Sequence, residues 1–230
     1  MEKKYTFLLP CLNEEKSLAY CIQEVQKCIK DKNLDAEILI ADNNSTDNSV
    51  NIAKENNARV VICEKKGYGA TLINGIKNAR GQCCIMGDSD GSYDFYNIDS
   101  FIDRLNDNYD LVVGNRYKGG IKKGAMSLSH KIGVKFLSGF ANLLFHTPIK
   151  DYHCGLRAFK KDSIDKLNLT QPGMEFASEM IIKAKINNLK MNEVSTTLKK
   201  DLRDGKTHLK TIRDGFRHLF LICKLSLLKN

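Results

Sequence analysis

Through the first half of the chain, short apolar runs alternate with stretches in which apolar residues recur every three or four positions, the pattern of strands alternating with amphipathic helices. Tyr5 to Pro10 is β-branched and aromatic and ends in proline. Beyond Asn13-Glu14-Glu15, the spacing of Leu18, Ile22, Val25 and Ile29 predicts a helix. Ala36 to Ala41 predicts a second buried strand, stopped by the polar run Asp42 to Asp47, in which Ser45 or Thr46 is placed to cap a helix over Val50, Ile52 and Ala53. Arg59 to Cys63 predicts a third strand. A turn carrying Lys66, Gly67 and Gly69 follows, then a helix through Leu72, Ile73 and Ile76 that Gly81 is placed to end. The run Cys83 to Met86 predicts a fourth strand, which breaks off into Gly87-Asp88-Ser89-Asp90-Gly91.

The second half is less regular. A helix from Asn97 to Leu105 precedes a strand from Asp110 to Asn115, whose end presents Arg116. Lys118 to Gly124 is glycine- and lysine-rich and is expected to be mobile. Met126 to Phe145 is strongly apolar but interrupted by His130, Lys131 and Lys135; it predicts one or two amphipathic helices, either lying in an interface or covering the sheet. Asp151 to Phe159 predicts a turn feeding a short strand, followed by a helix from Glu175 to Ile186 and a strand from Lys190 to Leu198. In the last thirty residues Leu209, Ile212, Phe216, Leu219, Phe220 and Cys223 recur at helical spacing among lysines and arginines. That is a basic amphipathic helix suited to anionic headgroups or to packing on the sheet.

The fold class implied is α/β: a single Rossmann-like, mostly parallel sheet with helices on both faces, plus C-terminal amphipathic helices. In such sheets ligands bind at the carboxyl edge of the strands. That edge carries Asn13 with Glu14, Asp42, Lys66 to Gly69, and Asp88 with Asp90. Asp-x-Asp on a turn offers hard oxygens to a divalent cation that takes its other ligands from water and substrate phosphates. As a lone tripeptide it is equally a solvated acidic turn.

Charge narrows the partners. Lysine and arginine exceed aspartate and glutamate by 36 to 27, a formal +9, which favours an anionic partner such as a nucleotide, a nucleic acid or an acidic membrane face. No motif set combining aromatic and basic residues supports nucleic acid. The 8 cysteines show no Cys-x-x-Cys spacing and fall mostly in apolar runs, as reduced, buried thiols do in a cytosolic protein. The amino terminus has no signal-peptide pattern, and no apolar run reaches the roughly 18 residues of a membrane span. The expected location is therefore cytoplasmic, peripheral on the inner face of the cell membrane.

Together these segments resemble the inverting family 2 glycosyltransferases of GT-A fold, and among them the polyprenyl-phosphate (dolichol-phosphate) sugar synthases, from residue 5 to about residue 220. Leu9-Pro10-Cys11-Leu12-Asn13-Glu14-Glu15 resembles the family's first-strand motif, Ile40 to Asp47 its Asp-Asp/Asn-x-Ser-Thr-Asp element, Gly67-Tyr68-Gly69-Ala70 its glycine turn, and Asp88-Ser89-Asp90 its metal-binding Asp-x-Asp. Gly114-Asn115-Arg116, the Asp151 to Arg157 segment and Arg203-Asp204-Gly205-Lys206-Thr207 are similar to its later motifs, and Ile212 to Leu219 to the tail of bacterial dolichol-phosphate-glucose synthetase-like members. Many members continue into transmembrane helices; in this chain the expected membrane hold is peripheral. Where synthases often carry an arginine in the interfacial helix, this chain has His130 and Lys131.

The resemblance implies a GT-A domain over 1–200, with a nucleotide-sugar half (1–116) and an acceptor half (117–200), and a basic amphipathic helix over 201–230. It implies a nucleoside-diphosphate sugar as donor, a UDP-sugar such as UDP-glucose or else GDP-mannose, held by Pro10, Leu12, Asn13, Glu14, Asp42, Lys66, Gly67, Gly69 and Asp88. Mg²⁺ or Mn²⁺ is expected on Asp88 and Asp90, with Arg116 and Arg203 joining them in catalysis. The expected acceptor is a polyprenyl phosphate met by His130, Lys131, Asp151, Gly155, Arg157, Glu175, Glu179 and Arg203. A saccharide or glycolipid hydroxyl acceptor would instead need a carboxylate base, with Asp151, Glu175 and Glu179 the candidates. A reading of another class is an inactive peripheral membrane-binding module. A homo-oligomer is left open.

Overall fold

The runs that alternate along the sequence lie side by side in space. The computed structural model describes residues 3–203 and 211–227. In chain order the elements are β1 (Lys3–Cys11), α1 (Leu18–Asp31), β2 (Ala36–Asp42), α2 (Ser49–Glu55), β3 (Arg59–Ile62), α3 (Tyr68–Asn78), β4 (Gly81–Met86), α4 (Asp99–Asn106), β5 (Leu111–Asn115), α5 (Arg116–Gly119), α6 (Leu128–Phe145), β6 (Arg157–Lys160), α7 (Lys161–Asp165), α8 (Phe176–Ile186), β7 (Met191–Ser195) and α9 (Thr211–Leu227). Among the described residues the strands form one 7-stranded sheet in the order β3-β2-β1-β4-β6-β5-β7.

β1 to β4 are parallel to one another, and β5 is parallel to β7. Right-handed crossovers put α1 and α2 on one face and α3, whose connection reverses direction across the sheet, on the other. The core is the apolar run of each central strand, Phe7, Leu8 and Leu9 against Leu39 and Ile40 and against Ile85, closed by Leu18, Ile22 and Val25 of α1 and Leu72 and Ile76 of α3. Burying this much apolar surface is the dominant favourable term in the fold.

β6 is antiparallel to both β4 and β5, pairing Arg157 with Met86 on one side and with Val113 on the other. It therefore enters the sheet at the edge where β4 and β5 end. The turn ahead of it, residues 151–156, is delivered beside Asp88 and Arg116. One reversed strand thus joins the second half of the chain to the ligand edge of the first.

Helix ends are marked by asparagine. After α1, α2, α4 and α8 the chain turns left-handed at Asn33, Asn57, Asn108 and Asn188. Each time the next residue donates back into the last turn, as Leu34 N–H does to the Ile29 carbonyl at 2.9 Å.

Two local expectations change. Gly81 does not end α3, which stops at Asn78; it opens β4, where an added Cβ would stand 2.4 Å from the backbone of Tyr5 and Thr6. Ser45 does not cap α2, whose N-cap is Asn48, because its hydroxyl and N–H both turn back to the Asp42 carboxylate. The apolar run from Met126 to Phe145 gives a single helix, α6, beginning at Leu128 after the N-cap Ser127, and the C-terminal region one helix, α9, within the described residues. The motif residues Asp204 to Thr207, with Leu209 and Lys210, lie outside the described residues, as does the side chain of Ile212.

α9 packs Leu221, Ile222 and Leu225 inward, against a layer that includes α6 and α8. Its outer side is also apolar: Phe216, Phe220 and Leu227 are 69%, 71% and 80% exposed. α6 exposes Leu128, Ile132, Phe136 and Leu143 in the same way. Among the described residues no helix is long and apolar enough to cross a membrane.

Arg157 anchors the reversed strand without a carboxylate partner among the described residues. Its guanidinium donates to the carbonyls of Cys154 (3.0 Å), Ala177 (3.0 Å) and Tyr152 (2.7 Å), so it ties the 151–156 turn to α8. A lysine ammonium has three donors on one nitrogen and lacks the planar fork whose Nε, Nη1 and Nη2 each reach a different carbonyl here. Arg157→Lys is expected to cost about 3 kcal/mol or more, measured as the free energy of urea unfolding.

Candidate active site

The ends of β1, β2 and β4 and the turn before α3 open on a cleft of about 860 Å³. Pro10, Leu12 and Glu14 come from the end of β1, Asn43 and Asn44 from that of β2, Lys66 and Gly67 from the turn, and Asp88 and Asp90 from that of β4. Gly67 has φ 128° and lies so close to the Pro172 carbonyl that a Cβ would stand 2.2 Å from its oxygen. Its N–H donates to Asn43 Oδ1 at 2.9 Å, and the Asn43 amide donates to the carbonyls of Cys63 and Lys65. Residues 63–67 are thereby fastened to the β2 loop.

Three predicted donor-side residues brace this surface instead of lining it. Asp42 is 1% exposed and accepts from the N–H and hydroxyl of Ser45. Asn13 is left-handed at φ 56° and braces the facing loop through Thr46 N–H at 2.7 Å. Gly69 packs against the carbonyls of Gln171 and Gly173.

The two acids of the Asp-x-Asp turn sit in an unfavourable field. Desolvation, then the neighbouring Asp90, push Asp88 up to about 6. The Tyr68 hydroxyl donates to Asp88 Oδ1 at 2.8 Å, and burial with that carboxylate holds the phenol well above its usual range, so it remains a donor. Gly155 allows the approach on the other side, since a Cβ there would stand 2.6 Å from Asp88 Oδ2. Asp90 accepts Ser92 N–H at 2.9 Å and faces Arg203 Nη1 at 3.6 Å. Arg203 also grips Glu14, with Nε 2.9 Å from Oε2 and Nη2 on Oε1. Burial pulls the Arg203 guanidinium down, but the Glu14 bond and the Asp90 charge outweigh it and raise it.

Past the acidic turn, Arg116 and Asp151 form a buried two-pronged pair, Nε to Oδ2 and Nη2 to Oδ1 both at 2.8 Å, with the Arg116 N–H adding a third bond at 3.1 Å. Arg116 lines the cleft; Asp151 is committed to Arg116 behind it. His130, shifted down by burial and then by Arg116, also lines the cleft. Lys131 meets this region through its backbone carbonyl, which accepts from the Tyr117 hydroxyl. Glu175 accepts from Arg217 at 2.5 Å, and Glu179 accepts from Thr170 and Gln171 and pairs with Lys183, so both brace the segment leading into α8. A second cavity of about 410 Å³ continues from the cleft past Asp88, Arg116 and His130 into the space between α6, α8 and α9, where Gly155 and Arg157 also form part of its wall.

Residues 6–167 match the model of glycosyl transferase family 2. The chain belongs to that family. It is 34% identical over 214 residues to the low-salt glycan biosynthesis hexosyltransferase Agl6 of Haloferax volcanii, covering 92% of this chain and 51% of that protein. It is 25% identical over 229 residues to the dolichol-phosphate mannosyltransferase of Pyrococcus furiosus, covering 96% of this chain and 64% of that one. The chain thus spans about half the length of the Haloferax protein and under two thirds of the Pyrococcus one. A crystal structure of Mycobacterium tuberculosis glucosyl-3-phosphoglycerate synthase with Mn²⁺, UDP and glucosyl-3-phosphoglycerate superposes with a TM-score of 0.76 at 17% identity, over 97% of this chain and 80% of that one. The seven-stranded α/β sheet of this family 2 chain is thus the GT-A fold.

The donor set of the acidic turn fits a hard divalent cation. Asp88 and Asp90 offer carboxylate oxygens only, and burial with the neighbouring Asp90 charge raises Asp88, a shift that a nearby cation would offset. Among the described residues no group of three or more His, Cys, Asp or Glu is set to hold a metal, so the remaining ligands would come from water and phosphate.

Several residues of this family 2 site were not singled out in the sequence. Asn43, Tyr68, Tyr93, Arg213 and Arg217 all line the cleft. The spacing of Arg213 and Arg217, one helical turn apart, places them on one face, but nothing local says that this face meets the strand ends. Tyr68 lies inside the glycine turn and Tyr93 just past the acids, positions whose proximity to a carboxylate depends on tertiary packing.

His153 and His218 lie side by side at the cavity wall, with ring centroids 4.5 Å apart and edge to face. His218 Nδ1 meets Ser178 Oγ at 2.8 Å, which pins α9 to α8. Burial pulls His218 down to about 4 and His153 well below its usual value. The unfolded chain takes these protons near 6.5 and the folded chain does not, so stability is full above that pH and is lost as pH falls towards about 4. His218→Asn is expected to reduce the loss of unfolding free energy between pH 7.5 and 4.5 by up to about 3 kcal/mol, read from urea titrations at the two pH values.

Proposed function

We propose that this chain transfers a sugar from a nucleoside-diphosphate sugar to a polyprenyl phosphate, with a divalent cation and inversion at the anomeric carbon. One observation carries the reading: an acidic pair and four arginines share a cleft that opens beside two helices with exposed apolar faces. Residues 1–116 form the donor half, 117–200 the acceptor half, and the C-terminal helix the membrane-facing side. The hexosyltransferase and dolichol-phosphate mannosyltransferase relatives, and the UDP in the structural neighbour, support the same donor class.

In this reading Pro10, Leu12, Asn43 and Lys66 seat the nucleoside, with Asp42 and Asn13 fixing the loops that shape its pocket. Asp88 and Asp90 would hold Mg²⁺ or Mn²⁺, which when bound offsets charge on the diphosphate. Arg203 stands between Glu14 and Asp90 and passes to the diphosphate as that anion arrives. Arg116, held rigid by Asp151, aims a preorganised positive charge at the reaction centre. An acceptor phosphate oxygen attacks the anomeric carbon as its bond to the diphosphate oxygen breaks, and the electron pair leaves with the nucleoside diphosphate. A phosphate acceptor is already an anion, so no base is required. Of the three carboxylates, Asp151 and Glu175 are each paired with an arginine of the cleft wall, Arg116 and Arg217, and Glu179 is bonded to Thr170 and Gln171. An α-linked donor would yield a β-linked product.

Incubation with Mn²⁺, a panel of nucleotide sugars and undecaprenyl or dolichyl phosphate, with product identification by mass, tests the reaction. Asp90→Asn keeps an acceptor for Ser92 N–H but loses the charge, and is expected to lower turnover by at least about a thousandfold. Wild-type turnover in that variant with chelator present sinks the metal role.

The apolar outer faces of α6 and α9, flanked by Lys135, Arg213 and Lys224, suit an anionic lipid surface. Replacing Phe216 and Phe220 together by serine is expected to reduce flotation with vesicles containing anionic lipid at least fivefold. Unchanged flotation would remove the peripheral attachment.

A further inference from the structure

A carboxylate outside the cleft ties together the two segments that carry the Arg116–Asp151 pair. Glu193 lies in β7, the edge strand of the sheet, in register with Val113 of β5, and lines neither the cleft nor the cavity beside it. Its side chain is nonetheless only 4% exposed. Oε1 accepts the N–H groups of Lys150 at 2.7 Å and Asp151 at 2.9 Å, and Oε2 accepts from the Asn115 amide at 2.6 Å. Taking a carboxylate out of water is costly unless such bonds replace the water, so these three donors account for where it sits. Lys118 Nζ also approaches Oε2, at 3.3 Å, but its side chain is 53% exposed, and a pair with so exposed a partner contributes little.

The bonded groups close a circuit. Asn115 directly precedes Arg116, and its Oδ1 accepts Lys118 N–H at 2.9 Å as the N-cap of α5. Arg116 crosses to Asp151 through Nε, Nη2 and its backbone N–H. The Asp151 N–H then returns to Glu193, which holds Asn115. Of these four residues Arg116 alone lines the cleft. With the circuit closed, the guanidinium is fixed from the strand end before it and from the turn that carries its acid. Opened at Glu193, the 150–151 turn loses two acceptors at once, and Asp151 can draw back and take Arg116 with it.

We infer that Glu193 is a positioning residue: through the Asn115 amide and the Asp151 N–H it sets where the Arg116 guanidinium stands in the cleft. The circuit of bonds stands on its own geometry, and its effect on turnover rests on the proposed function.

Solvent exchange of arginine Nε–H protons, followed by NMR, reads that placement without any ligand. The Arg116 signal is assigned by its loss in Arg116→Lys, and the Arg59 Nε–H, bonded to Glu37 at 2.9 Å from the strand at the opposite edge of the sheet, is the reference. Glu193→Ala should speed exchange at Arg116 at least about tenfold and leave Arg59 within about twofold, whereas Lys118→Ala should change neither. Glu193→Gln keeps one acceptor oxygen for the Lys150 and Asp151 N–H groups but turns a donor towards the Asn115 amide, and should fall between wild type and alanine. A cooperative urea transition reports that each variant is folded. Unchanged exchange at Arg116 in Glu193→Ala, or equal acceleration at Arg59, overturns the inference; if the alanine variant does not fold, Glu193→Gln decides by the same two criteria. In transfer to undecaprenyl phosphate, Glu193→Ala should lower kcat at least about tenfold with the donor KM within about twofold, and should lower it no further when added to Arg116→Lys. Losses that multiply place the effect of Glu193 elsewhere and overturn the inference. Wild-type protein that transfers no sugar refutes the proposed reaction, and the exchange rates then decide the role of Glu193 by themselves.

Discussion

Two carboxylates one residue apart, at the end of a strand that removes water from them, repel each other, and the rest of the cleft is arranged around that repulsion. Asp88 is raised by burial and by Asp90 and is steadied by the Tyr68 hydroxyl. Arginines from distant parts of the chain face the pair, and each of Arg116, Arg203 and Arg217 has its own acid in Asp151, Glu14 and Glu175. The cleft is a network of alternating charge, so a multiply charged anion enters by exchanging partners with groups already in place. Buried ion pairs contribute little net stability when their desolvation is counted, and positioning is the better account of their presence.

The geometry depends as much on one strand running the wrong way. Had β6 been parallel to β4, the turn that carries Asp151, His153 and Gly155 would have opened at the opposite edge of the sheet, a strand's length of roughly 13–20 Å from the acids. Reversal brings Gly155 against Asp88 and Asp151 onto Arg116. Arg157 holds that strand by carbonyls alone, which lets it lie beside the cationic cleft without consuming another carboxylate.

The parallel half of the fold was legible because its signals are local: apolar runs of strand length, helical periodicity, and polar loops at the strand ends. The acidic turn was legible for the same reason, since two glycines and two aspartates lie within five residues. What was not legible depended on long-range contact. Gly81 follows a helix and looks like a terminator, but it is needed where β4 meets the backbone of β1. Asp42 and Asn13 carry motif chemistry, yet their side chains hold loops together beside the cleft, while Asn43, next to Asp42, lines it. Arg213 and Arg217 were visible as charges on a helix, and only the docking of that helix onto α8 directs them into the cleft.

That docking makes α9 a shared wall. Arg213 and Arg217 face the charged cleft, whereas Phe216, His218 and Leu219, interleaved with them, line the apolar cavity. A rigid helix cannot tilt on one side only, so an occupant that shifts α9 from below alters the field felt above. If filling the cavity changes the affinity of the cleft for an anion, reciprocity requires the anion to change the affinity of the cavity by the same factor. The helix that closes the apolar cavity is thereby also the one that brings positive charge to the strand ends.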